Sequence, residues 1–140
     1  MSTHRHHLVC VLLISVLASG CAAREFEDDP ACQNVPQRKV HELKFKLTNQ
    51  GCVDKVEKKD GTDGETITVR RCDTVKWKVA SINKKIVRFE SGSPFGWSDL
   101  GSYWRIAGVI RADADLRDYK YTVATKGKDC DHDPMIIVGS

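Results

Sequence analysis

Long apolar runs are scarce in this chain of 140 residues; the longest, Leu8–Ala18, has eleven and is broken only by Ser15. At about 1.5 Å per helical residue it covers about half the hydrocarbon core of a bilayer, which excludes a transmembrane helix and suits the h-region of an export signal. An excess of one charge is also lacking, since 22 Lys and Arg face 19 Asp and Glu for a formal net charge of +3. Lys55, Lys58, Lys59, Arg70, Arg71, Lys76, Lys78, Lys84 and Lys85 are interleaved with Asp54, Glu57, Asp60, Asp63, Glu65 and Asp73. That pattern is a solvated face, and a nucleic-acid partner is not expected. There is no GxSxG, no HExxH, no Gly-rich phosphate loop and no Ser/His/Asp set at useful spacing, so no enzyme class is indicated. Asp129, Asp131 and Asp133 alternate as in a calcium loop, but the downstream Gly and Glu are missing and Pro134 follows at once. With 41% hydrophobic and 29% charged residues the composition excludes disordered and collagen-like chains. Setting aside an export signal, about 120 residues remain within this chain, room for one core and not for a multidomain enzyme.

What is present begins with an address. Arg5 and three histidines precede the apolar run, and Ala18-Ser19-Gly20-Cys21 follows it. This boundary resembles the lipobox of bacterial lipoproteins, in which small residues let an extended backbone enter a peptidase cleft and the cysteine thiol takes the lipid. The resemblance implies a signal peptide over 1–20, a lipidated Cys21, a polar tether over 21–38 and a folded domain over 39–140. Ala22 stands where lipoproteins kept in the inner membrane typically carry Asp, so the outer membrane, facing the periplasm, is the expected location. Several acyl chains would make the membrane attachment permanent. The competing reading is an ordinary signal peptide with Cys21 as a disulfide cysteine.

Removing Cys10 and Cys21 from the six cysteines leaves Cys32, Cys52, Cys72 and Cys130, an even number that suits two bridges in an oxidising compartment, with three connectivities open. From residue 39 the hydrophobic pattern has period two, predicting strands over 39–47, 66–71, 74–80, 85–89, 118–124 and 134–139. Arg70–Asp73 is the turn between the second and third of these. Residues 97–117 are expected to hold a seventh strand near Arg105–Ile110 and a helical turn near Ala112–Leu116. About seven short strands with frequent turn signals predict an all-β sandwich.

The run ITVRRCDTVKWKVASINKKIVRF resembles the second and third strands of cupredoxins, and YKYTVATKGKDCDHDPMIIV resembles their last two strands and the ligand loop between. The resemblance implies a Greek-key sandwich and places the first copper histidine at Lys85, where an ammonium repels copper. Cys130, His132 and Met135 keep the family order Cys, His, Met, but two positions from Cys to His is shorter than a blue-copper loop needs. The cupredoxin arrangement also puts Cys52 and Cys130 at the copper end and Cys32 and Cys72 at the other, implying the bridges Cys52–Cys130 and Cys32–Cys72. No cofactor is therefore expected. The alternative is a rearranged copper site on His132 and Met135, with His41 as a third ligand, in keeping with the affinity of imidazole and thioether for copper.

One other feature stands out. Phe95, Trp97, Tyr103 and Trp104 crowd a glycine-rich stretch over 92–104. They serve either as a satellite core or as a binding surface for an envelope protein or a glycan. The expectation is a non-catalytic, lipid-anchored periplasmic protein with a binding or envelope-structural role; the alternative is a copper-binding or electron-transfer protein.

Overall fold

A computed structural model describes residues 29–140. The expected signal peptide, Cys21 and the first part of the tether lie outside the described residues. The described chain is all-β apart from a 3-10 turn at Pro30–Cys32. Its strands are β1 (Val40–Leu47), β2 (Val53–Lys58), β3 (Thr66–Arg70), β4 (Thr74–Lys78), β5 (Lys85–Arg88), β6 (Asp99–Ser102), β7 (Arg105–Val109), β8 (Asp118–Lys120), β9 (Thr122–Thr125), β10 (Asp131–His132) and β11 (Met135–Gly139). They form sheets in the orders β2-β1-β4-β7, β10-β9-β5-β6 and β3-β11-β8, in a sandwich-like arrangement. The β1–β4 and β3–β11 pairs are parallel and the other pairs are antiparallel.

Alternation builds the core. Leu43 and Phe45 on β1, Val75 and Trp77 on β4, and Ile106 on β7 turn inward from the first sheet. Ile67, Val69, Val87, Tyr119, Tyr121, Val123, Ile136 and Val138 meet them from the other two, in one continuous cluster. Each large side chain buried this way contributes about 1.5–3 kcal/mol.

Four strands go beyond the seven expected. β2 escapes the period-two pattern because Lys46 pairs with Lys55 while Leu47 pairs with Val53, leaving Asp54 as an extra residue. This bulge lets Val53 and Val56, three positions apart, both face inward. The run expected as one strand over 118–124 keeps a single inward face but changes partner at Tyr121: β8 pairs with β11 and β9 pairs with β5, so the two smaller sheets adjoin there. β6 lacks alternation, and β10 is too short to show any. The helical turn expected near Ala112–Leu116 is a single tight turn closed by the Ala114 amide on the Arg111 carbonyl.

The turn at Arg70–Asp73 organises one end of the sandwich. Its Cys72 sits in the left-handed region, φ 68°, held by a disulfide to buried Cys32. Asp73, also buried, accepts hydrogen bonds from the Lys39 and Arg70 amides and from His41 Nε2 at 2.8 Å. Burial by itself pushes this carboxyl up, but the His41 bond and the two amides outweigh it and hold the group below its ordinary value. Asp29, within the stretch expected as tether, caps the Pro30–Cys32 turn and accepts the Ala112 amide. Together with the disulfide, this packs the start of the described chain against the 110–112 segment.

At the centre, Trp77 Nε1 donates to the Tyr121 hydroxyl at 3.1 Å, joining the first sheet to the point where β8 becomes β9. Burial pushes the Tyr121 hydroxyl up, so it stays protonated at any ordinary pH. Two outcomes are expected. Tyr121→Phe strands a buried indole N–H and lowers the unfolding free energy by about 1–3 kcal/mol, measurable by urea titration. For Asp73 the folded pKa lies below the unfolded one, so its stabilising effect is full above the ordinary value of 3.8 and is lost as pH falls through the folded value. The stability gap between wild type and Asp73→Asn therefore closes on acidification, which unfolding curves collected from pH 6 down to about 2 will read.

Candidate functional site

Lys85 is the first residue of β5, and alternation with Val87 points it inward. It is fully buried. An ammonium taken out of water needs acceptors for its three protons, and the adjoining loops supply them. Nζ donates to the Gly51 carbonyl at 2.9 Å, to Ser81 Oγ at 3.1 Å and to the Asn83 carbonyl at 3.3 Å. All three acceptors are neutral. Burial therefore pushes the Lys85 pKa down, and the nearby Lys128 charge adds to the shift.

Gly51 precedes Cys52, which is bonded to Cys130, so the buried lysine and the second disulfide lie together. The two bridges are those implied by the cupredoxin resemblance. They join residues 40 and 78 positions apart, worth about 4 kcal/mol each if their effect is mainly on the unfolded chain. Beside Lys85 on the neighbouring β9, buried Thr125 has a hydroxyl with no hydrogen-bond partner among the described residues.

The residues of the alternative copper site are engaged elsewhere. His132 Nε2 lies 2.8 and 3.0 Å from the two Glu65 carboxylate oxygens, and Glu65 Oε1 also accepts the Val56 amide at 2.6 Å. This arrangement ties β10 to β2. Met135 is a half-buried member of β11, paired with Thr66 on one side and Lys120 on the other. His41 is bound to Asp73. Among the described residues no three His, Cys, Asp or Glu side chains converge as metal ligands do.

No family model and no curated protein matches this chain.

The aromatic stretch divides in two. Phe95 is buried, and Trp97 stacks on it with ring centroids 4.7 Å apart. Gly108 on β7 makes room for this pair, because a Cβ there would come within 2.6 Å of the Phe95 ring. Tyr103 and Trp104 stand outside, 45% and 79% exposed, on the turn where the chain crosses from β6 in one sheet to β7 in another. The turn is fixed by its backbone: Ser102 Oγ accepts the Trp104 and Arg105 amides, and the Trp104 carbonyl accepts the Val79 amide. Both rings are thus presented on a rigid support.

Two further components of this surface escape a reading by sequence pattern. Ile82 is 93% exposed because Lys85 draws in its neighbours Ser81 and Asn83. The strand pairing also brings Lys44, Lys78 and Arg105 side by side across β1, β4 and β7. Alternating lysines in TVKWK give the only sequence signal for that row, and alone they read as solvation.

Replacing Lys85 tests its role as a loop clamp. Lys85→Ala removes a buried stem and takes the Nζ donor from the Gly51 and Asn83 carbonyls, while Ser81 Oγ keeps the Asn83 amide, at an expected cost of about 3 kcal/mol. Because the folded pKa of Lys85 lies below the unfolded one, the unfolded chain holds more protons between the two values, and this contribution to stability rises with pH toward the ordinary value of 10.5. Unfolding curves from neutral to alkaline pH should therefore show wild type gaining on Lys85→Met, which lacks the titration.

Proposed function

We propose that this chain is a lipid-anchored protein of the bacterial envelope, held through Cys21 on the outer membrane facing the periplasm, whose cupredoxin-like sandwich acts by binding and not by catalysis. The observation that carries the copper-free part of the reading is Lys85. At the position of the first copper histidine in the resemblance stands a buried ammonium satisfied by Gly51, Ser81 and Asn83. The adjacent Cys130 is spent in a disulfide, which removes the thiolate a blue-copper centre needs. A site filled by its own side chains favours a structural end to the sandwich over electron transfer.

The binding role rests on Tyr103 and Trp104. Phe95 and Trp97, read with them as binding candidates, are packed into and against the core. Large aromatics held out on a fixed turn are the usual anchors of recognition surfaces.

The test has two arms. Labelled palmitate fed to expressing bacteria should enter the wild-type chain and be absent from Cys21→Ser; label that persists in the variant overturns the anchor. Chain loaded with copper and washed with chelator should retain none, with no visible charge-transfer band, whereas stoichiometric retention overturns the copper-free reading in favour of a rearranged site on His132 and Met135.

A further inference from the structure

We infer that the outer face of the β2-β1-β4-β7 sheet, together with the adjoining tip formed by Ile82, Tyr103 and Trp104, docks on an anionic lipid surface. This deepens the binding role proposed above by naming its partner as the anionic headgroups of a bilayer.

Three observations point there. First, Lys44, Lys78 and Arg105 are direct cross-strand neighbours, and Lys76 lies on the same face two residues before Lys78. Like charges placed opposite one another destabilise a sheet, so the Lys44–Lys78 and Lys78–Arg105 pairings cost stability. Lys76, Lys78 and Arg105 form no direct ion pair among the described residues; Glu42, opposite Lys76, is bound to Lys59 at 3.0 Å and also feels the Lys76 and Arg105 charges, and Glu57 stands opposite Lys44, so cations outnumber carboxylates on this face. The row borders an open groove of about 880 Å³ that Trp104 also lines.

Second, Ile82, Tyr103 and Trp104 line one shallow depression and project from it. Side chains that protrude suit insertion into a soft interface more than capture of a shaped ligand. Tyr and Trp are the residues that settle at headgroup depth, with lysines reaching the phosphates beside them. The cations are mostly Lys, flexible point charges suited to a diffuse anionic surface and not to the bidentate clamping that Arg provides.

Third, the geometry allows it. The described chain begins at Asp29, packed at the Cys32–Cys72 end, while Trp104 lies beyond the other end of β4, about 17 Å away by strand rise. The eight residues from Cys21 to Asp28 reach at most about 28 Å, enough for a domain anchored at Cys21 to lay this face on the same membrane.

The experiment places the full chain with vesicles of phosphatidylcholine, or of phosphatidylcholine mixed with phosphatidylglycerol, both carrying brominated acyl chains. Trp77 is buried and Trp97 half-buried, so bromine reports on Trp104. Emission is expected to fall about two-fold further in the anionic vesicles, and the difference to vanish at about 1 M salt and in Trp104→Phe. The triple variant Lys76→Gln, Lys78→Gln, Arg105→Gln should lose the quenching while keeping its urea midpoint. Equal emission in the two vesicle types overturns the proposal. So does a saturable response of Trp104 to a soluble sulfated glycan or an oligonucleotide with no response to anionic vesicles. Flotation with phosphatidylcholine vesicles reads the lipid anchor separately: its failure overturns the anchor, while anionic vesicles still decide the face.

Discussion

The hydrogen bond from Trp77 to Tyr121 is the constraint around which the rest is arranged. Trp77 is the largest fully buried side chain, and its one polar atom needs an acceptor inside an apolar core. Tyr121 supplies it from the residue at which the chain leaves β8 and enters β9, so the same contact fixes the separation of the layers and the point of sheet exchange. Edge-on contacts of Trp77 with Phe95 and Trp97, and the nearby Phe89, fill the space around the bond. That demand decides which aromatics of residues 92–104 go inside. Phe95 and Trp97 are consumed by the core, and the short turn after β6 leaves Tyr103 and Trp104 with no core to reach.

The two ends of the sandwich are closed by different means. At one end the Cys32–Cys72 bridge and buried Asp73 gather β1, the turn before β4 and the 110–112 segment. At the other, Cys52–Cys130 and Lys85 gather the 51–52, 81–83 and 128–130 loops. Asp73 has histidine as a partner and keeps its charge easily, while Lys85 has only neutral acceptors and is held charged against a burial penalty. The lysine nevertheless shapes what lies outside, since drawing Ser81 and Asn83 inward turns Ile82 to solvent. In the proposed reading, an end that would hold a metal in a cupredoxin becomes the support of a contact surface.

Much of the strand content was legible because alternation is local. Leu43-Lys44-Phe45, Ile67-Thr68-Val69 and Val75-Lys76-Trp77 state their inward face within a few residues. β2 was hidden by its bulge, which changes a spacing of two into three at Val53 and Val56, and no short-range pattern reports a bulge set by the neighbouring strand. The change of partner at Tyr121 was invisible for the same reason, as it leaves the inward face uninterrupted. Of the candidate site, Lys85 was legible as a departure from a resemblance, but its acceptors were not: the Gly51 carbonyl comes from 34 positions away, and no alternation pattern marks Ser81 or the Asn83 carbonyl in the loop just before it. Phe95 and Trp104 looked equivalent in sequence; Gly108, which accommodates one ring, separates them.

By itself the sequence determined what depends on neighbours along the chain: the β class, the inward faces, the turn at Arg70–Asp73, and the even set of four cysteines. Only the tertiary structure decided what depends on pairing between distant segments. It joined Cys52 to Cys130, set Lys44, Lys78 and Arg105 in one row, buried Lys85 among loop carbonyls and left Trp104 exposed on a fixed turn. The physical reason is that side-chain direction in a strand follows from a two-residue repeat, whereas which charges and rings become neighbours follows from strand order and register, and these are settled by how the whole core packs.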